Sequence, residues 1–126
     1  MAYISQDDKK AKAPAIKAIL KKYGLTGSLS IHHYSTLVLT IKSGKIDFEK
    51  NFKENTGLEY FNNQVNTYHI EKSYSGDASN ALTELHNAMM EGNHDNSDAM
   101  VDYFDVGWYI RIDLGKWDKE YILINH

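Results

Sequence analysis

The chain reads as a single α+β domain over residues 1–126, its mostly antiparallel sheet built from two hairpins plus a middle strand, with helices packed on one face. Three observations predict this. Leu29, Ile31, Leu37, Leu39 and Ile41 alternate with polar or β-branched residues, and so do Trp108, Ile110, Ile112 and Leu114. Two other stretches carry apolar residues at helical spacing: Ile16, Ile19, Leu20 and Tyr23, then Ala81, Leu82, Leu85, Ala88 and Met89. A chain of 126 residues, 42 % hydrophobic and 25 % charged, suits one hydrophobic core.

The first helix opens at Ser5-Gln6-Asp7-Asp8, where Ser5 caps and Asp8, three residues on, bonds back. Gly24 supplies its stop. Pro14 lacks the N–H that residue 10 needs, which predicts a kink or two helices. A hairpin follows, with His32 to Ser35 as its turn and Ser43-Gly44 as its end. Residues 47–56 read as a short helix or an irregular excursion, and Gly57 to Asn63 as loop. Val65 to Ile70 is expected as the middle strand. Ser75-Gly76-Asp77 caps the second helix, which runs to Met90 before Gly92. Ala99 to Phe104 suggest a short helix or a turn. Gly115 to Lys119 turns the last strand, and Tyr121 and Leu123 close the second hairpin.

Composition excludes several classes. There are no cysteines, which removes disulfides, thiolate zinc sites and a cysteine nucleophile, and fits a reducing compartment. No apolar run reaches the ~18 residues of a membrane span, and Met1 to Asp8 has no signal-peptide core. A cytoplasmic location is expected, with no membrane partner. The net charge of −3 is unevenly spread. Residues 1–22 carry Lys9, Lys10, Lys12, Lys17, Lys21 and Lys22 against Asp7 and Asp8, so a basic helix is set on an acidic body.

Two polar sites stand out. Between Glu91 and Asp105 the chain holds His94, Asp95, Asp98, Asp102 and Asp105. If residues 95–102 are helical, Asp95, Asp98 and Asp102 share a face. The segment lacks the spacing of an EF-hand, and capping and solvation account for its acids more readily than a binding patch or cation site does. The second site is the lysine helix, which suits phosphate contacts. His32 and His33 lie at a hairpin tip and His69 on a strand, but adjacent strand residues face opposite ways, so no metal site is predicted. No cofactor is predicted either: there is no nucleophile elbow and no Gly-rich phosphate loop. Tyr34, Tyr60, Tyr74 and Trp117 fall near loops, where exposed aromatics can anchor a partner.

His33-Tyr34-Ser35-Thr36-Leu37 leading to Ile41-Lys42-Ser43-Gly44-Lys45-Ile46-Asp47-Phe48 forms one distinctive string. Gly92-Asn93-His94-Asp95-Asn96-Ser97-Asp98, Asp102-Tyr103-Phe104-Asp105-Val106-Gly107-Trp108-Tyr109 and Gly115-Lys116-Trp117-Asp118-Lys119 form another. Together they resemble a family of small hypothetical proteins of tailed bacteriophages and related mobile elements. The hairpin string also resembles an accessory domain of large polyvalent proteins of mobile elements. The resemblance covers most of the chain. It implies a phage origin and expression in the bacterial host cytoplasm, and it assigns no activity and no site residue. Small phage proteins of this kind point to a non-catalytic accessory role in binding a host bacterial protein, including in counter-defence. Nucleic-acid binding through the basic helix is the alternative, followed by a small enzyme or ligand binder and a virion component.

Overall fold

Helix α1, Gln6–Lys22, starts as its sequence predicts. Ser5 Oγ accepts the Asp8 N–H at 3.1 Å and the Asp8 carboxylate accepts the Ser5 N–H at 3.1 Å, which closes a capping box. The chain passes through Pro14 as one helix rather than two. Lys10, whose carbonyl loses its donor there, lies on the exposed side, where water can replace the missing bond. The helix ends at Tyr23, and Gly24 takes the left-handed conformation at φ 70°. The computed structural model describes residues 3–61, 63–91, 108–116 and 119–124.

Strands β1, Leu25–His32, and β2, Thr36–Gly44, form the expected antiparallel hairpin, with Leu29 opposite Leu39 and Ile31 opposite Leu37. Among the described residues the chain then makes three helices, α2 Phe48–Thr56, α3 Ile70–Ser73 and α4 Gly76–Met90. It returns as β3, Tyr109–Lys116, which lies parallel to β2 with Ile112 beside Leu39. The sheet is therefore mixed, which corrects the mostly antiparallel expectation. The correction has a simple cause. A strand that follows a helical crossover can run in the same direction as the strand before it, whereas a tight turn forces reversal.

The middle strand also differs from expectation. Only Gln64 forms a bridge, opposite Asp113, flanked by the Val65 N–H on the Ile112 carbonyl and the Leu114 N–H on the Asn63 carbonyl. Ile70 instead opens α3. The second hairpin is short: β4, Lys119–Glu120, pairs with Gly115 and Lys116. The chain then moves away, and β5, Ile122–Leu123, runs parallel to β2 at Ser43 and Gly44. Gly115 makes this crossing possible. Its φ is 79°, and a Cβ there would stand 2.3 Å from the Tyr121 nitrogen.

The sheet order is β1-β2-β3-β4, with β5 beside β2, so β1 is an edge. One cluster gathers the buried apolar side chains: Leu37, Leu39, Ile41, Ile112 and Leu114 from the strands, and Ile16, Leu20, Phe48, Phe52, Ile70, Leu82, Leu85 and Met89 from the helices. Ile4, 1 % exposed, joins it from outside any element. Two polar details complete the frame. Ser75 caps α4 without a side-chain cap bond, because its hydroxyl accepts from Asn51 and Asn55 of α2, while the Ser75 N–H donates to Asn51 Oδ1 at 2.9 Å. The Tyr74 hydroxyl, buried with Phe48 and Phe52, has no hydrogen-bond partner among the described residues. Among the described residues no helix is long and apolar enough to cross a membrane.

Candidate functional site

The hairpin tip departs from ordinary backbone geometry. His33 and Tyr34 both have positive φ, 53° and 59°, and the Ser35 N–H closes the turn on the His32 carbonyl at 3.2 Å. Such turns favour Asn-Gly, because a Cβ in the left-handed region crowds the following carbonyl. Bulky residues persist there only where surrounding structure holds them. Two backbone bonds do so. The Tyr34 carbonyl accepts the Ile4 N–H at 2.8 Å, with Ile4 itself anchored in the core, and the Ser35 carbonyl accepts the Tyr109 N–H at 2.8 Å.

The same bonds bring Tyr3 and Tyr109 to the tip. Tyr34, Tyr3 and Tyr109 are 77 %, 60 % and 51 % exposed. His32 and His33 are exposed beside them, their rings edge to face with centroids 6.1 Å apart. Register continues from the tip in rows across the sheet, exposed at His32, Tyr109 and Arg111 but buried at Val38, Thr40 and Asp113. His32, Thr36 and Tyr109 form one row, followed by Ser30, Val38 and Arg111, then Ser28, Thr40 and Asp113. Arg111 Nε donates to Asp113 Oδ1 at 3.0 Å, which neutralises the charge of this face. The nearest acids along the chain from Tyr3 are Asp7 and Asp8 in the first turn of α1. The Asp8 carboxyl is held below its ordinary value by bonds from the Ser5 backbone and hydroxyl.

The six predicted lysines divide into engaged and available groups. Lys12 donates to the Glu91 carbonyl and stands 4.8 Å from the Trp108 ring centroid, and partial burial lowers its pKa. Lys22 donates to Glu84 at 2.9 Å, where Tyr23 also donates. These two bonds, the tyrosine's first, hold the Glu84 carboxyl below its usual range. Lys10, Lys17 and Lys21 remain exposed at i, i+7 and i+11, one stripe of α1. Lys9, Lys10 and Lys17 also line a groove of ≈ 370 Å³ between α1 and β1, together with Ala13, Ile16, Leu20, Gly27, Ser28, Leu29 and Leu39.

The acidic segment His94, Asp95, Asp98, Asp102 and Asp105 lies outside the described residues, as does Trp117. The histidines do not share a site: His32 and His33 sit at the tip, while His69 caps α3 and lines a separate cleft with His86, whose pKa is lowered by burial. Among the described residues no three His, Asp or Glu side chains stand together as a metal-binding set. A cleft of ≈ 680 Å³ has an apolar floor of Phe61, Leu114, Tyr121 and Leu123 and a mixed rim of Asp47, Glu49, Glu120, Lys53 and Lys116. Glu49 and Lys53 already pair at 3.0 Å, and among the described residues the cleft lining holds no histidine and no serine.

Of the loop aromatics singled out by sequence, Tyr34 and Tyr60 are exposed, whereas Tyr74 is buried at 2 %. Tyr3 and Tyr109 are not among them. Tyr109 is within reach of sequence reasoning, because strict alternation with Ile110 and Ile112 turns it away from the core. Tyr3 is not, because only a long-range backbone bond brings it to the tip. No family model, curated protein or solved structure matches the chain.

Proposed function

We propose that this chain is a small, non-catalytic, phage-type accessory protein that binds a host bacterial protein, counter-defence being one such role, and that the Tyr3/Tyr34/Tyr109 end of the sheet is its recognition surface. In this reading the helices cover one face of the sheet and leave the His32–Thr36–Tyr109 row free for the partner. The observation that carries it is the gathering of three exposed tyrosines and two histidines by backbone bonds around a turn held in an unfavourable conformation. Tyrosine supplies a large, half-polar contact area at a small cost in side-chain freedom, which is why it is enriched among interface hot spots. Asp7 and Asp8, the acids nearest Tyr3 along the chain, disfavour a polyanion there and favour a protein.

The test is affinity capture from bacterial lysate followed by mass spectrometry, comparing the parent with Tyr34→Ala/Tyr109→Ala. Both side chains are at least half exposed, so the variant retains its melting temperature. A partner captured by the parent and lost by the variant supports the proposal. A partner captured equally by both places recognition elsewhere.

A second reading rests on the exposed stripe of Lys10, Lys17 and Lys21, which suits phosphates. It predicts retardation of single- or double-stranded DNA or RNA in a low-salt gel shift that collapses as salt rises. No retardation at about 10⁻⁴ M protein ends it.

A further inference from the structure

We propose that the groove between α1 and the outer edge of β1 is a second binding site, and that it takes an extended acidic segment of a protein partner as an added strand. Among the described residues no strand lies outside β1, so one side of an eight-residue strand offers backbone donors and acceptors for pairing. Edges of this kind are ordinarily guarded by charge or proline. Leu25–His32 contains no Lys, Arg, Asp, Glu or Pro, and its one register irregularity, at Thr26/Gly27, lies near its start, which leaves Gly27–His32 regular. An unguarded edge beside a helix is the geometry in which extended peptides add to sheets. Main-chain bonds then give affinity, and alternate side chains fall into the groove.

The helix flank specifies the chemistry of the occupant. Lys9, Lys10 and Lys17 rim the groove, no acid among the described residues lines it, and Ala13 and Leu29 give it an apolar floor. Lys10 and Lys17 lie about 10 Å apart along the helix axis. Side chains on one side of an added strand recur every ~7 Å, so carboxylates on that side come within reach of both flexible lysines. A nucleic acid would use the lysines but neither the row of backbone groups nor the apolar floor. The groove is thus built for a strand that alternates acidic and apolar residues.

The probe is a fluorescein-labelled peptide of about ten residues alternating Glu and Val, followed by fluorescence anisotropy at low ionic strength. The controls are an alternating Lys–Val peptide, the Glu–Val peptide N-methylated at either alternate set of residues, and an oligothymidylate of similar length. The proposal expects the Glu–Val peptide to bind, and to bind roughly tenfold or more weakly to Lys10→Glu/Lys17→Glu. N-methylation of the set that faces β1 weakens it as much, and the Lys–Val peptide does not bind. Should the charge-reversed variant melt early, Lys10→Gln/Lys17→Gln carries the same readout. Tyr34→Ala leaves peptide binding unchanged, so failure here is distinguishable from failure of the tyrosine surface. No binding at millimolar Glu–Val peptide, equal binding by both methylated peptides, or tighter binding of the oligothymidylate overturns the proposal.

Discussion

Tyr74→Phe should make this protein more stable. The Tyr74 side chain is 2 % exposed, and its hydroxyl has no hydrogen-bond partner among the described residues. Its ring meets Phe48 at 6.1 Å with an interplanar angle of 81° and Phe52 at 5.8 Å with 48°, contacts that phenylalanine keeps. A buried polar group without a partner costs about 1–3 kcal/mol, and the substitution removes that cost with little change in volume. In urea the midpoint should rise with an unchanged m-value, and the melting temperature should rise by roughly 3–6 °C for each kcal/mol gained. A second signature follows from pH. Burial raises the Tyr74 pKa above the ordinary 10.0, and burial pushes Tyr121 up to about 12. Below pH ~10 both tyrosines are protonated in folded and unfolded chains alike and do not affect stability. Above it the unfolded chain releases protons that the folded one keeps, so stability falls with rising pH by up to about 1.4 kcal/mol per pH unit per tyrosine. Tyr121 stops contributing near pH 12. The phenylalanine of the variant has no proton to release, so the variant loses stability less steeply than the parent between about pH 10 and pH 12. A variant less stable than the parent at neutral pH would show that the hydroxyl has a stabilising partner, and one equally steep above pH ~10 would show that burial does not hold the proton on Tyr74.

Three further predictions test other parts of the account. Leu85→Ala, at a fully buried position of α4, should cost about 2–5 kcal/mol in chemical denaturation, and an unchanged midpoint would put the core face elsewhere. Ser5→Ala removes one half of the capping box and should cost roughly 0.5–2 kcal/mol, with helicity lost from the start of α1 in amide exchange. His33→Asn/Tyr34→Gly gives the turn the residues its left-handed backbone favours. It should raise stability by about 1–2 kcal/mol while abolishing partner capture, since the strain lies in residues that serve binding. A variant that gains stability and still captures its partner separates the turn from recognition.

The elements held by local rules are legible in the sequence. Ser5 and Asp8 announce the start of α1, Gly24 announces its end, and the stripe from Ala81 to Met89 gives α4 and its buried face. Leu29, Ile31, Leu37 and Leu39 give the first hairpin and its core-facing side. The direction of β3 is not legible in the same way, because period-two alternation is identical in parallel and antiparallel strands. The sign of a parallel direction lies in the helical stretch between β2 and β3 rather than in β3 itself. Val65 to Ile70 looks like a strand because Val65, Thr67 and Ile70 are β-branched, yet only Gln64 bridges and the chain turns at Asn66, whose Oδ1 accepts the Tyr68 N–H at 3.1 Å. The tyrosine surface is half legible. Tyr34 falls in a turn and Tyr109 on an outward position, but bringing Tyr3 to them requires the Ile4–Tyr34 backbone bond, which no local pattern encodes.

The most direct test of recognition at the tyrosine end uses the captured partner in purified form. Its affinity for the parent is compared with that for Tyr34→Ala, Tyr109→Ala and the distant controls Tyr60→Ala and Tyr68→Ala, which remove equally exposed tyrosines elsewhere on the molecule. The account predicts that Tyr34→Ala or Tyr109→Ala costs about 2 kcal/mol or more, roughly thirtyfold in Kd, as a hot-spot residue does. The two controls should change Kd by less than about twofold. Losses at Tyr60 or Tyr68 with none at Tyr34 and Tyr109 would contradict it.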